Sequence, residues 1–438
     1  MFSKILIANR GEVAVRVIRA CREMGIKTVA VYSKADTYAL HTAMADQAVC
    51  IGEASSSDSY LNAERIVAAA LSTGAQAIHP GYGFLSENQA FARLCEKYGL
   101  VFIGPDADIM DKLSDKEQAK RMMAQAGVPV IPGSRTVTDA AQALALAEEL
   151  GYPVLLKAKA GGGGRGIRQV NGPEEMENAF ATACAESLAA FGSGELYMEK
   201  FIHPARHIEF QILADEAGNA VCLGERECSI QKNHQKLVEE TPSPAVTEEK
   251  RQALIPKVLG AIRQIGYTNA GTLEFLMDRQ GNFYFMEMNV RLQVEHTITE
   301  QITGVDIVKW QIRIAAGVEL DFTQEQVRFN GVSIECRINA RASGRVDFLN
   351  IPGGPFVRFD TFLWNGITVP PFYDPLIGKL IVWAHNREEA IRKMKAALCE
   401  LTIRGLPTNT DEELAIVSSE DFSTGDYDTN FFENQMGS

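Results

Sequence analysis

Residues 4–8, 28–32, 77–78 and 101–103 are short apolar runs, and helical spacing fills the stretches between them. Val13, Val17, Ile18 and Cys21 recur at helix period before Gly25, and residues 60–72 form a second such segment closed by Gly74. Few folds accept this order. A strand that feeds a helix and then another strand must cross over, which gives a parallel sheet with helices on both faces. The spacing therefore predicts a doubly wound α/β domain over residues 1–113. Its first loop, Asn9-Arg10-Gly11-Glu12, lacks the Gly-x-Gly-x-x-Gly pattern, so no dinucleotide site is expected. These four residues leave an ordinary strand-to-helix turn and a functional loop equally open.

The pattern then changes. Ser114 with Glu117 reads as an N-cap and capping box opening a helix that Gly127-Val128-Pro129 ends. A strand near Val130, a helix over 139–150 and a strand over 153–157 lead into Gly161-Gly162-Gly163-Gly164, with a further strand at 167–170. Bare backbone N–H groups in such a loop suit phosphate oxygens, and Lys157 stands just before it. A flexible hairpin is the alternative. Residues 207–213 with 221–223, and 271–277 with 283–286, read as hairpins, with a helix over 253–265. Antiparallel pairs have replaced crossovers, so a different domain has begun. Strands at 332–339 and 377–383 and a helix over 387–401, apolar at Ala390, Ile391, Met394, Ala397, Leu398 and Leu401, complete a C-terminal α+β unit.

A net charge of −13 without a basic block argues against nucleic acid as a partner, though not against an anionic substrate. The eight cysteines are scattered with no Cys-x-x-Cys, which predicts reduced thiols. Met1-Phe2-Ser3-Lys4-Ile5 enters a strand at once, so no signal peptide is expected and the setting predicted is cytoplasmic. No apolar stretch approaches the roughly 18 residues of a membrane span.

Chemistry concentrates at Glu287-Met288-Asn289-Val290-Arg291-Leu292-Gln293-Val294-Glu295-His296, just after a strand. A salt-bridged surface loop would have this composition too. If the segment is extended, Glu287, Asn289, Arg291, Gln293 and Glu295 share one face, and Met288, Val290, Leu292 and Val294 the other. Glu274 and Glu287 lie on the two strands of one hairpin with Asn289 beyond, a hard-oxygen set for Mg2+ or Mn2+ rather than zinc. Lys116 and Lys157 can meet phosphates, and the glycine loop can close over them, as phosphoryl transfer requires.

Several segments, in this order, carry a resemblance: Ile7-Ala8-Asn9-Arg10-Gly11-Glu12, His79-Pro80-Gly81-Tyr82-Gly83-Phe84-Leu85-Ser86-Glu87-Asn88, the glycine loop, His234-Gln235-Lys236, the 287–296 segment and Glu335-Cys336-Arg337-Ile338-Asn339. Over nearly its whole length the chain resembles the biotin carboxylases of the ATP-grasp superfamily, as in bacterial acetyl-CoA carboxylase. The resemblance implies a pre-ATP-grasp domain at 1–113, an ATP-grasp domain at 114–328 with a mobile lid at about 130–202, and a biotin carboxylase C-terminal domain at 329–438. It implies that ATP and bicarbonate form carboxyphosphate, whose CO2 is captured by biotin, the first half-reaction of acetyl-CoA carboxylase in fatty acid synthesis. Glu295 is then the base. Arg291, Lys236, Gln293 and Val294 hold bicarbonate, and Arg337 stabilises the biotin enolate. Lys116, Lys157, Gly163, Gly164, Glu199, Lys200, Ile202, His207, Gln231 and His234 bind ATP, Glu274, Glu287 and Asn289 the metal, and Tyr82 and Gly83 biotin.

Lys159 is a weaker phosphate candidate than Lys157, and His79 reads as structural. The chain departs from the family pattern at Lys232-Asn233 and Arg341-Ala342, and it is shorter over 343–355, near the biotin side and the family's dimer contact. With no Met-Lys-Met, biotin is expected on a separate carrier protein, or else free, with a carboxyltransferase partner and a homodimeric assembly. Propionyl-CoA, urea or an oxo-acid as final acceptor, or a non-catalytic ATP-binding paralogue, are the alternatives.

Overall fold

A computed structural model describes residues 1–159, 167–233 and 235–436. Five parallel strands open the chain, in the spatial order Gln47–Gly52, Lys27–Ser33, Lys4–Ile7, Ala77–His79, Val101–Phe102. The order reverses beside Lys4–Ile7. Loops leaving neighbouring strands at such a point diverge and leave a crevice at the strands' carboxyl ends. Here those loops are 8–12 and 80–84. Asn9 ties them together, its Nδ2 donating to the carbonyls of Pro80 (2.7 Å) and Tyr82 (2.8 Å). Gly81 lies at φ +64°, where a Cβ would stand 2.9 Å from Asn9 Nδ2, so glycine is needed for this closure.

The second sheet has eight antiparallel strands, ordered Phe283–Asn289, Asn269–Asp278, Ala205–Ala214, Ala220–Lys232, Gln235–Thr241, Val332–Asn339, Leu376–Ala384, Val357–Thr361. The polar residues 225–232 and 235–240 thus lie in two paired strands, and the second of these pairs with Val332–Asn339, so one sheet takes strands from both sides of residue 328. Strand alternation divides its chemistry. Ile208, Phe210 and Ile212 enter the core with Phe275, Phe283 and Phe285, while His207, Glu209 and Gln211 project from the opposite face. Each buried phenylalanine contributes roughly 1.5–3 kcal/mol of transfer free energy, which fixes the register and holds the polar row in place.

A four-stranded sheet, ordered Gly133–Val137, Leu196–Lys200, Val154–Ala158, Ile167–Val170, carries helices Ala140–Leu150 and Met176–Phe191 and has its own small core. Val130 makes an isolated bridge to Phe285 instead of opening a strand. The N-cap of helix Lys116–Gln125 is Asp115, which accepts from the N–H groups of Glu117 and Gln118. Ser114 instead ends the preceding helix and donates to the Asp111 carbonyl. An aspartate one residue on offers a stronger, charged acceptor to the same orphan N–H groups. Helix Arg387–Glu400 buries Ala390, Ile391, Met394, Ala397 and Leu398, as its spacing predicted. The short segment 343–355 is held by strands Gly344–Arg345 and Phe348–Asn350, which pair with Thr368–Val369 and Thr402–Arg404. Lys232 and Arg341, both departures from the family pattern, meet on one carboxylate, Glu412. Among the described residues, no helix is long and apolar enough to cross a membrane.

Candidate active site

The crevice at the end of the parallel sheet faces the polar face of the eight-stranded sheet. Between them lies a cavity of about 710 Å³ lined by Arg10, Glu12, Tyr82 and Gly83 on one side and by His207, Gln231, Lys236, Glu274, Glu287, Asn289, Arg291, Gln293, Val294 and Arg337 on the other. Residues assembled from three parts of the chain thus share one space. His234, Gly163 and Gly164 lie outside the described residues.

Glu274 and Glu287 stand directly opposite each other. The register slips by one residue at Met286, so Phe275 pairs with Phe285 while Glu274 pairs with Glu287. This bulge keeps the phenylalanines in the core and puts both carboxylates on the polar face. Glu274 Oε1 accepts from Asn289 (2.8 Å), Gln293 (3.1 Å) and Lys236 (3.2 Å), and its Oε2 lies 3.2 Å from His207 Nε2. Burial opposes its charge, but Lys236 and His207 hold its carboxyl well below the usual carboxylate range. Two facing carboxylates with an adjacent amide fit Mg2+ or Mn2+, which take few protein carboxylates and complete their shell from phosphates and water.

The strand ends at Asn289, and residues 290–295 follow as a loop rather than a continued strand. Met288, Val290 and Leu292 are buried in the apolar core as expected. Val294 is the exception to the alternation and lines the cavity, its carbonyl accepting from Lys379 Nζ (2.8 Å). A short helix, His296–Thr303, starts immediately after Glu295 and turns the chain before the strand period could extend that far.

Arg291 is oriented by four acceptors: Glu87 Oε2 and Gln293 Oε1, both at 3.0 Å, Asn289 Oδ1 (2.9 Å) and the Leu292 carbonyl (3.2 Å). Glu295 lies beneath the cavity floor, fully buried, with Oε1 on Lys236 Nζ (2.7 Å) and Oε2 on Arg337 Nη2 (2.9 Å). Burial opposes its charge, yet Lys236, Arg337 and Arg226 hold it well below the usual range. Lys236 also meets Glu209 Oε2 (2.6 Å), and Arg337 donates from Nε to Glu239 (2.6 Å). Arg226, wholly buried, anchors Glu209 from behind (2.6 Å) with support from Gln211, Thr299 and Thr272. Glu209 belongs to the alternating row His207, Glu209, Gln211, a period-two signal that the sequence displays.

Not all nucleotide candidates reach the cavity. Lys116 Nζ pairs with Glu287 Oε2 (2.9 Å) and also lines an adjoining cleft of about 250 Å³ with Lys120, Lys159, Glu195 and Tyr197. Lys157 donates to Glu199 Oε2 (2.6 Å), and Lys120 meets the other oxygen of that fully buried carboxylate. Lys120 was legible: four residues from Lys116, it falls on the same helix face. Lys159, ranked below Lys157 from sequence, does line the cleft. Lys200 instead caps the carbonyls of Gly151 (2.8 Å) and Tyr152 (3.0 Å), and Ile202 lines neither cavity.

Comparisons with known proteins agree with this layout. Residues 1–110 match the biotin carboxylase N-terminal domain, 115–323 the ATP binding domain of the carbamoyl-phosphate synthase L chain, and 335–434 the biotin carboxylase C-terminal domain. A biotin carboxylase of Nostoc sp. is 52% identical over 99% of both chains. A biotin carboxylase from Campylobacter jejuni, solved as a β,γ-ATP complex, superposes with a TM-score of 0.95 at 48% identity, covering 99% of both chains. The biotin carboxylase domain dimer of 2-oxoglutarate carboxylase from Hydrogenobacter thermophilus, solved with MgADP, ADP and bicarbonate, superposes with a TM-score of 0.94 at 50% identity, covering 100% of this chain and 98% of that one. With about half its residues identical over its full length and the same fold, the chain belongs to the biotin carboxylase family.

Proposed function

We propose that the protein carboxylates biotin at the expense of ATP and bicarbonate, as the first half-reaction of an acetyl-CoA carboxylase, with biotin carried on a separate carrier protein and passed to a carboxyltransferase partner. The observation that carries this reading is Glu295. A fully buried carboxylate is clamped by Lys236 and Arg337, and both cations line the cavity that Arg291 also lines, so an anion-binding fork and a base adjoin one space.

Arg291 presents a guanidinium already oriented by Glu87, Asn289 and Gln293, which suits bidentate binding of bicarbonate. Glu295 takes the proton of bicarbonate as its oxygen bonds to the γ-phosphorus and the bond to ADP breaks. Its resting basicity is low because two cations hold it. A bicarbonate arriving between Lys236 and Arg337 draws on the same cations, which loosens their grip and raises the basicity of Glu295 when it is needed. Arg337 then faces the oxyanion of biotin, with Glu239 fixing its other edge. Tyr82 and Gly83 line the opposite wall, where biotin would enter. Lys116, His207 and Gln231 remain the nucleotide contacts, Lys120 and Lys159 join them, and Glu199 positions Lys157. Glu274, Glu287 and Asn289 would hold Mg2+ or Mn2+, which neutralises phosphate charge when bound. A homodimer follows from the family and from the dimer of the Hydrogenobacter relative.

The test is ATP hydrolysis by the full chain with and without bicarbonate, and with and without free biotin. Hydrolysis that depends on bicarbonate and rises with biotin is expected. Independence from bicarbonate would overturn the reading, and dependence without a response to biotin would point to another acceptor. Co-purification of a biotinylated carrier with a carboxyltransferase acting on acetyl-CoA is expected for the pathway.

A further inference from the structure

Lys379 is wholly buried in strand Leu376–Ala384, opposite Arg337 on the next strand. Its ammonium joins three regions of the chain. It donates to the Val294 carbonyl (2.8 Å), and it pairs with Glu12 Oε1 (3.3 Å) at the start of helix Gly11–Glu23. That same oxygen accepts the hydroxyl of Tyr82, while Glu12 Oε2 is buried without a hydrogen-bond partner among the described residues. Asp360 stands across the strand pair from Lys379, but Arg358 occupies both its oxygens (2.9 and 2.6 Å). Glu12 is the carboxylate in ion-pair contact with Lys379, which also favours the charge of the buried Glu335 on the neighbouring strand. Its two ends reach the two walls of one cavity, Tyr82 on one side and Val294, next to Glu295, on the other.

We propose that Glu12 and Lys379 are positioning residues that transmit the state of Tyr82 to the loop bearing Glu295, so that arrival of biotin accelerates ATP cleavage. This rests on the function proposed above. One oxygen of Glu12 serves both Tyr82 and Lys379. When the Tyr82 hydroxyl turns away to meet biotin, that oxygen is left to Lys379 alone and draws the ammonium from the Val294 carbonyl. The loop holding Glu295 is then free to close on bicarbonate. The link is a shared acceptor, so its two hydrogen-bonding partners compete for one oxygen.

The experiment measures bicarbonate-dependent ATP cleavage with and without free biotin in wild type, Tyr82→Phe and the double variant Glu12→Gln/Lys379→Met. The double variant removes both members of the pair; the buried Glu335, which Lys379 also favours, keeps Thr297 as its donor, and Tyr82→Phe, which changes no charge, carries the test should the double variant not fold. The double variant's rate is expected to be the same with and without biotin, a loss of the stimulation ratio by at least about fivefold. Tyr82→Phe keeps the ring and removes the shared donor. Its biotin-free rate is expected to rise toward the stimulated wild-type rate, which a purely structural link would not produce. A wild-type stimulation ratio in the double variant, or, should that variant not fold, a Tyr82→Phe biotin-free rate equal to wild type, overturns the coupling alone. A wild type without bicarbonate-dependent cleavage overturns the function itself.

Discussion

Glu295→Gln separates the base from the framework that holds it. The amide has the same shape, so no cavity opens. Lys236 keeps Glu209 (2.6 Å) and Glu274 (3.2 Å), and Arg337 keeps Glu239 (2.6 Å), so neither cation is orphaned. One amide oxygen can still accept from one cation, while the NH2 group faces the other without a bond. The stability change is then that of one charge-assisted hydrogen bond, about 1.5–3 kcal/mol. Turnover is affected far more. A general base contributes about 10²–10⁴ in rate, or about 2.7–5.4 kcal/mol of barrier at 1.36 kcal/mol per decade. The assay pairs bicarbonate-dependent ATP cleavage with calorimetric nucleotide binding on the same preparation. Nucleotide affinity within about threefold of wild type, beside a rate loss of at least about a hundredfold, is the expected pair of results. A variant that binds nucleotide normally and turns over within about tenfold of wild type would refute Glu295 as the base, because no smaller share is consistent with general-base catalysis.

Arg291→Lys removes the fork while keeping the charge, so the bicarbonate KM is expected to rise at least about tenfold, the loss of one charge-assisted bond, with nucleotide affinity unchanged. Glu287→Gln frees Lys116 and weakens the oxygen pair opposite Glu274, and titration of Mg2+ should show a higher half-saturating concentration. His41 and His79 are fully buried, and burial holds them down to about 4 and about 3. The folded state therefore refuses protons that the unfolded chain takes up below its usual histidine pKa of about 6.5, and stability falls as pH drops through that window. Between pH 6.5 and pH 5 the loss is about 2 kcal/mol for each histidine. Burial raises Glu12 and Glu335 to about 7 and Glu239 to about 8, which opposes the histidines over this window. The check is therefore the difference in urea-unfolding stability between wild type and His79→Asn at the two pH values, and a difference independent of pH would contradict the burial of the ring.

What could be read in advance depended on how local the cause was. The parallel sheet, both hairpins and helix Arg387–Glu400 follow from periodicity, which is a property of neighbouring residues. The pairing of Glu274 with Glu287 was also legible, because one short turn fixes both strands; the bulge at Met286 that makes it work was not. The alternation expected from Glu287 to Glu295 failed where tertiary packing took over, at the end of the strand. The partners of the site residues were mostly illegible. Glu87 comes to Arg291 from 204 positions away, Glu12 to Lys379 through the fold, and Glu199 to Lys120 and Lys157 across the small sheet. Glu12 and Glu87 stand in segments that carry the resemblance but with no partner assigned, and the resemblance assigns Glu199 to the ligand. Glu12 and Glu199 are buried and Glu87 is exposed, but their placement has a common logic. The chain carries a net charge of −13, yet this site gathers one buried and three part-buried cations, Arg226 with Lys236, Arg291 and Arg337, and each must be matched by a carboxylate from elsewhere or remain an unpaired, poorly solvated charge. The acidic residues that look superfluous by composition are the ones that let Lys236, Arg226, Arg291 and Arg337 be stored, desolvated and aimed, before any substrate anion arrives to use them.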